Sequence, residues 1–134
     1  MKAHLLLVLV LIMASCSSLK KTGSVNNFEE ITFGSGGGFT GLTNTYMLNA
    51  EGFVYKMNGE QQEQLKRIDY KSLKGISKHL KKIDFEHIQN DTKGNMTYFI
   101  EVVTKDYQNK ATWSDASSDP VLKEFYSELV KTLN

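Results

Sequence analysis

The sequence predicts a single α+β domain, with two amphipathic helices packed on one face of an antiparallel sheet of four or five strands. Three observations support this fold class: a hairpin signal at residues 49–52, a helical apolar stripe from Tyr70 to Ile83, and alternation of side chains along residues 95–104. The order is strands, helix, two strands and helix. A layer of helices on one sheet is the simplest arrangement that buries both apolar surfaces.

The first part of the domain carries strand signals. Residues 28–33 (FEEITF) predict a first strand. The segments TNTYMLN and GFVYKMN flank residues 49–52 (NAEG), in which Asn and Gly suit the positive φ angles of a short hairpin turn. Residues 60–68 (EQQEQLKRI) are compatible either with a further strand or with the approach to a helix.

A helix is predicted next, because apolar residues recur three or four positions apart after Asp69, which is placed as its N-cap. Its apolar stripe consists of Tyr70, Leu73, Ile76, Leu80 and Ile83.

A second hairpin and a last helix complete the domain. Along residues 95–104, one face carries Met96, Tyr98, Ile100 and Val102, and a turn leads to a partner strand at residues 110–114. Asp119 followed by Pro120 predicts the N-cap and first residue of the last helix. Its buried stripe consists of Val121, Leu122, Phe125, Leu129, Val130 and Leu133.

The start of the chain predicts export and lipid attachment. Lys2 precedes an apolar run at residues 5–14 that is too short to span a bilayer, which needs about 20 apolar residues. The tetrapeptide MASC then resembles a bacterial lipobox, in which the cysteine is lipidated on sulfur and becomes the new N-terminus. The alternative is an ordinary secretory signal with an incidental cysteine. Cys16 is the only cysteine, so it has no intramolecular disulfide partner, which favours lipidation.

These signals predict three segments: a lipoprotein signal peptide at residues 1–15, a lipidated N-terminus with a flexible tether at 16–27, and one α+β domain at 28–134. The tether is polar and lacks periodicity. Ser17 stands where an aspartate would resemble an inner-membrane retention signal, so the expected location is the cell envelope, with the outer membrane favoured over the inner. The chain is too short for two such domains.

The charge balance argues against nucleic acid as a partner. Lys and Arg total 16 and Asp and Glu total 15, whereas nucleic-acid binding depends on an excess of basic residues.

A glycine-rich segment, FGSGGGFTG at residues 33–41, is the first candidate site. It satisfies G-x-G-x-x-G, but strand-like residues follow it rather than the helix that a dinucleotide site requires, and no P-loop Lys-Ser/Thr pair is present. It is either a connection between the first two strands or an exposed backbone surface that a ligand or peptide strand can approach. The candidate binding loop consists of Gly36, Gly37, Gly38, Phe39, Thr40 and Gly41.

A set of basic residues on the first helix is the second candidate site. These residues form either a solvated face or a contact for anionic headgroups or an acidic partner, since the chain is expected to be tethered to a membrane. They are Lys71, Lys74, Lys78, Lys81 and Lys82.

No recognisable catalytic or metal-binding motif is present. Once the signal is removed, the histidines are His79 and His87, which lack partners at metal-ligand spacing. Residues 115–119 (DASSD) do not match a calcium loop and predict a loop that ends in a helix cap. We therefore expect no metal, no cofactor and no assigned catalytic residue.

The glycine-rich run, the late TW strand and the C-terminal amphipathic helix resemble small, uncharacterised bacterial lipoproteins, a group to which no activity is attached. The resemblance covers most of the mature chain. The leading hypothesis is a non-enzymatic envelope module that binds a protein or a small ligand. The alternatives are an inhibitor or regulator of a periplasmic enzyme and, ranked last, a small hydrolase.

Overall fold

A six-stranded antiparallel sheet forms the centre of the protein in the computed structural model, which describes residues 26–38, 41, 43–117 and 119–134. The strands are β1 (Glu30–Gly37), β2 (Thr43–Asn49), β3 (Phe53–Asn58), β4 (Gln61–Arg67), β5 (Met96–Val103) and β6 (Gln108–Ser114). The helices are α1 (Tyr70–Lys82) and α2 (Pro120–Lys131), and a 3-10 turn (Phe85–His87) follows α1. The predicted α+β class is confirmed. The predicted signal peptide, Cys16 and the tether up to residue 25 lie outside the described residues.

The sheet has six strands, whereas four or five were predicted. Its order is β4-β3-β2-β1-β5-β6, so the first four strands form a meander, and α1 leads to β5 on the other side of β1. The additional strand is β4, which comes from the undecided residues 60–68. Its side chains are almost all exposed and carry no periodic signal, and it forms because its backbone pairs with β3. The 3-10 turn is a second difference from the predicted order of elements.

The central strand β1 continues well beyond the predicted end at Phe33. Gly34, Gly36 and Gly37 each have a Cα partner in β5, and Gly34 and Gly36 also pair with β2. The prediction that Gly36 and Gly37 belong to a connecting loop is therefore wrong. Strand character persists there because two neighbouring strands supply hydrogen-bond partners, although glycine itself disfavours strand interiors.

The predicted helix starts and the first hairpin are confirmed. The Asp69 carboxylate accepts a hydrogen bond from the backbone N–H of Ser72 at 2.9 Å, and that of Asp119 accepts one from Leu122 at 3.1 Å. Between β2 and β3, Gly52 has a φ of 89°. These features depend on residues at most three or four positions apart, so the local sequence is enough to specify them.

One hydrophobic core joins the sheet to both helices. Phe33, Leu48 and Ile100 from the sheet, with Ile76 from α1 and Phe125 from α2, are all 0–1% exposed and belong to the same cluster. The histidine of α1, His79, also bonds to Glu128 of α2, with Nδ1 and Oε2 2.5 Å apart. Both helices therefore pack side by side against one face of the sheet.

Candidate functional site

An open cleft lined largely by aromatic side chains lies where β5, β6 and α2 meet. It has a volume of about 320 Å³, and we call it the aromatic cleft; its lining residues are Tyr98, Trp113, Asp115, Lys123 and Tyr126. This volume is at the lower end of the range for small-molecule sites, roughly 300–1,000 Å³. Asp115 and Lys123 are exposed and supply one carboxylate and one ammonium group at its rim.

Strand register brings the rings together. Tyr98 on β5 is opposite Trp113 on β6 and, on its other side, opposite Ser35 on β1. Tyr126 lies on the second turn of α2, whose start is held by the Asp119 cap and Pro120. Because the alternation of β5 and β6 directs Tyr98 and Trp113 to the helix-bearing face, the side chain of Tyr126 meets them there.

The rings pack against one another along the wall of the cleft. The rings of Tyr98 and Trp113 are stacked with centroids 5.9 Å apart, and Tyr126 meets both edge-on, at 5.6 Å from Tyr98 and 5.5 Å from Trp113. Phe33 extends the cluster inward, 6.3 Å from Tyr126. Edge-to-face and offset contacts of this kind contribute about 0.5–1.5 kcal/mol each beyond area burial. Trp113 is 1% exposed, whereas Tyr98 and Tyr126 are half-buried and are the rings available to a ligand.

Phenol groups converge at the inner end of the cluster. Burial raises the pKa of the Tyr126 phenol, a hydrogen bond with the Ser35 side chain lowers it, and the neighbouring phenols of Tyr98 and Tyr46 raise it further, with a net increase above 10.0. Tyr98 of β5 and Tyr46 of β2 therefore lie close to Tyr126 of α2, whose phenol is hydrogen-bonded to the side chain of Ser35 of β1. They present hydroxyl groups next to apolar ring faces, which is a combination that suits an amphipathic ligand.

The raised pKa of Tyr126 predicts a loss of stability in alkali. Above the unfolded-state pKa of about 10, the unfolded chain releases the phenol proton before the folded chain does, so the free energy of unfolding falls as the pH rises. We expect Tyr126→Phe to make this decline shallower, as measured by urea unfolding at neutral pH and above pH 10.0. Burial also raises the pKa of Tyr107, so part of the decline remains. An unchanged slope in Tyr126→Phe would contradict the assignment to Tyr126.

The glycine segment adjoins this cluster through Ser35. Gly36 and Gly37 follow Ser35 in β1. The backbone N–H of Gly38 donates a hydrogen bond to the carbonyl oxygen of Asn95 at 2.7 Å, and the N–H of Gly41 donates one to the carbonyl oxygen of Gly38 at 3.3 Å. A Cβ at Gly37 would lie 2.3 Å from the Asn95 carbonyl oxygen, so this glycine is needed for the close approach of β5. Phe39 and Thr40 lie outside the described residues.

The five candidate lysines of α1 are all exposed and none of them lines the aromatic cleft. The structure therefore places the two candidate sites predicted from the sequence on different elements. The sequence did not single out the cleft itself, although the alternation along residues 95–104 did place Tyr98 on one face with Met96, Ile100 and Val102. The other lining residues are Asp115, which follows β6, and Lys123 and Tyr126 of α2, and no sequence spacing links them to Tyr98 and Trp113.

Each of the two described histidines contacts a carboxylate outside the cleft. His79 joins the two helices through Glu128, and His87 contacts the Asp84 carboxylate at 3.0 Å. Residues 115–119 end at the cap of α2, as predicted. Across residues 26–38, 41, 43–117 and 119–134, no three His, Cys, Asp or Glu side chains lie together as a metal ion would require. Of the described residues that line the cleft, one is an acid and none is a histidine.

A comparison with protein-family models and with curated proteins finds no match to this chain. In the part of the chain that the structure describes, neither helix is long and apolar enough to cross a bilayer.

Proposed function

We propose that this protein is a lipid-anchored module of the bacterial cell envelope that binds a small ligand in the aromatic cleft. The anchor rests on the lipobox-like tetrapeptide that ends at Cys16. The binding function is inferred from the geometry of the cleft, in which the half-buried rings of Tyr98 and Tyr126 lie next to the ammonium group of Lys123 and the carboxylate of Asp115.

The chemistry of the lining points to the class of ligand. The ring faces favour a compact apolar surface, whereas the phenol groups, Asp115 and Lys123 favour hydroxyl or amide groups at its edge. A sugar ring and an aromatic metabolite both combine these properties. The packing of Tyr98 against Trp113 holds the site in place before a ligand arrives, which lowers the entropic cost of binding.

Binding can be measured directly through Trp113, the only tryptophan of the chain. The probes are an ultrafiltrate of envelope extract, a set of mono- and disaccharides, and the aromatic amino acids. We expect a saturable change in tryptophan fluorescence with at least one probe. Tyr126→Phe removes one hydroxyl group from the site and should weaken that binding about fivefold, which is the usual value of one hydrogen bond.

Tyr70→Phe is the matched control. Tyr70 is 59% exposed on α1 and is not among the lining residues of the cleft, so this variant should bind like the wild type. Equal affinities of wild type, Tyr126→Phe and Tyr70→Phe would remove the cleft from the proposal. The absence of any response to all three kinds of probe would argue against a small ligand.

A further inference from the structure

The exposed side of α1 carries a compact positive surface, which we call the lysine face: Lys71, Lys74, Lys78, Lys81 and Lys82. Their spacing of three, four and three residues, with Lys82 adjacent, places them on one side of the helix. All five are exposed, while Leu73, Ile76 and Leu80 on the opposite side are buried in the core.

Neighbouring acidic residues do not neutralise most of the positive charge of the lysine face. The helix Tyr70–Lys82 contains no Asp or Glu. At its start, the Asp69 carboxylate is hydrogen-bonded to the backbone and hydroxyl of Ser72, and at its other end the Asp84 carboxylate contacts His87. No ion pair among the described residues involves a lysine. Five ammonium groups on one helix without acidic partners repel one another, so an anionic surface would relieve that repulsion.

The folded domain begins beside this same surface. The backbone N–H of Asn27 donates to the Ser77 hydroxyl at 3.3 Å, and that hydroxyl donates to the side-chain oxygen of Asn27. Ser77 precedes Lys78 on α1, and the next residue of the entering chain, Phe28, is 1% exposed in the core. The chain therefore enters the domain at the flank of the lysine face.

The number of residues between Cys16 and Asn27 limits how far the folded domain can lie from a lipid on Cys16. About ten polar residues separate Cys16 from this entry point, and a flexible chain of that length spans roughly 17–20 Å. Electrostatic attraction acts over about 10 Å at 0.1 M salt. A lipid on Cys16 would therefore let the lysine face come within this distance of the headgroups, since 17–20 Å is an average span and shorter separations occur as well.

We propose that the lysine face docks on the anionic phospholipid headgroups of the membrane that holds the protein, and so sets the orientation of the domain. This inference rests on the anchor in the proposed function. The expected partner is a lipid surface because the lysine face lies on the side of the domain at which the tether enters. The attraction of basic residues to an anionic surface adds up over the residues, so five together favour one orientation of a tethered domain.

The test attaches the mature chain, residues 16–134, to vesicles by coupling the thiol of Cys16 to a maleimide phospholipid. The vesicles contain phosphatidylcholine alone or equal parts of phosphatidylcholine and phosphatidylglycerol. An amine-reactive acetylating reagent then reports lysine accessibility by mass spectrometry. We expect Lys71 and Lys82 to react about fivefold more slowly on the anionic vesicles, and high salt should abolish the difference.

Two variants of equal charge complete the experiment. Lys74→Gln, Lys78→Gln, Lys81→Gln should lose the protection of Lys71 and Lys82, whereas Lys93→Gln, Lys105→Gln, Lys110→Gln should keep it. All six substituted lysines are exposed, and the three in α1 are replaced by a good helix former, so both variants should fold. Equal reactivity on the two kinds of vesicle, or protection that survives the α1 variant, would overturn the proposal. Because the anchor is supplied chemically, the result does not depend on lipidation in the cell. Lipidation is tested separately by measuring the mass of the protein extracted from the envelope.

Discussion

Replacing Gly34 by alanine should destabilise the protein by about 3 kcal/mol, although the change adds only one methyl group. Gly34 is buried in the central strand β1, between β2 and β5. A Cβ there would lie 2.0 Å from the backbone carbonyl oxygen of Asn44 and 3.1 Å from the Phe99 ring. Because the first of these atoms belongs to the backbone, no side-chain rotation removes the clash. Part of the β1–β2 pairing has to move apart.

Gly36→Ala provides the matched control, because Gly36 lies on the same strand and on the same face of the sheet. Its added Cβ would meet the Thr43 hydroxyl at 3.1 Å, and that side chain can rotate away. We expect Gly36→Ala to change the free energy of unfolding by less than about 1 kcal/mol. Urea titrations of both variants measure the difference, and equal stabilities would show that β1 and β2 can separate without cost.

A second large effect is expected at Phe125, where substitution by alanine should cost about 3–5 kcal/mol. The side chain is 0% exposed, and its ring lies 6.5 Å from that of Phe85 and 5.1 Å from that of His79. Removal of the ring leaves a cavity between α2, α1 and the 3-10 turn. Since domains of this kind have a total stability of about 5–15 kcal/mol, urea unfolding of the milder Phe125→Leu variant keeps the effect measurable.

Val121→Ala is the control for Phe125. The sequence predicts Val121 in the buried stripe of this helix, but that prediction is wrong, since its side chain is 44% exposed. The substitution therefore shortens an apolar side chain on the same helix outside the core. Its expected effect is within about 0.5 kcal/mol of zero. If Val121→Ala were as destabilising as Phe125→Ala, the loss would reflect the helix itself rather than the packing of the core.

The two N-caps and the first hairpin show what short-range sequence patterns predict well. Asp69 and Asp119 bond to groups three residues away, and Gly52 supplies a positive φ within the turn. In contrast, β4 carries no period and almost no buried side chain, and it becomes a strand only because β3 offers an unpaired edge. A prediction from its own residues could not decide between strand and helix.

The glycine segment is a second case in which the local sequence pattern was not enough to predict the structure. A run of glycines is typical of a turn, and the sequence predicts one there. The structure instead keeps Gly34, Gly36 and Gly37 within β1. At Gly34 and Gly37 the missing side chain allows a backbone carbonyl, that of Asn44 or Asn95, to approach closely. Gly37→Val would therefore disturb strand pairing as well as any bound partner, so it cannot test binding cleanly.

The sequence by itself determined the α+β class, the helix starts, the first hairpin and the lysine face, because each depends on residues within a few turns of chain. Only the tertiary structure decided that β4 joins the sheet and that Tyr46 and Tyr98 come close to Tyr126, whose phenol is hydrogen-bonded to Ser35. It also decided that Asn27 enters beside α1. These contacts join residues far apart along the chain, and their formation depends on how strands pair and helices pack rather than on any local pattern.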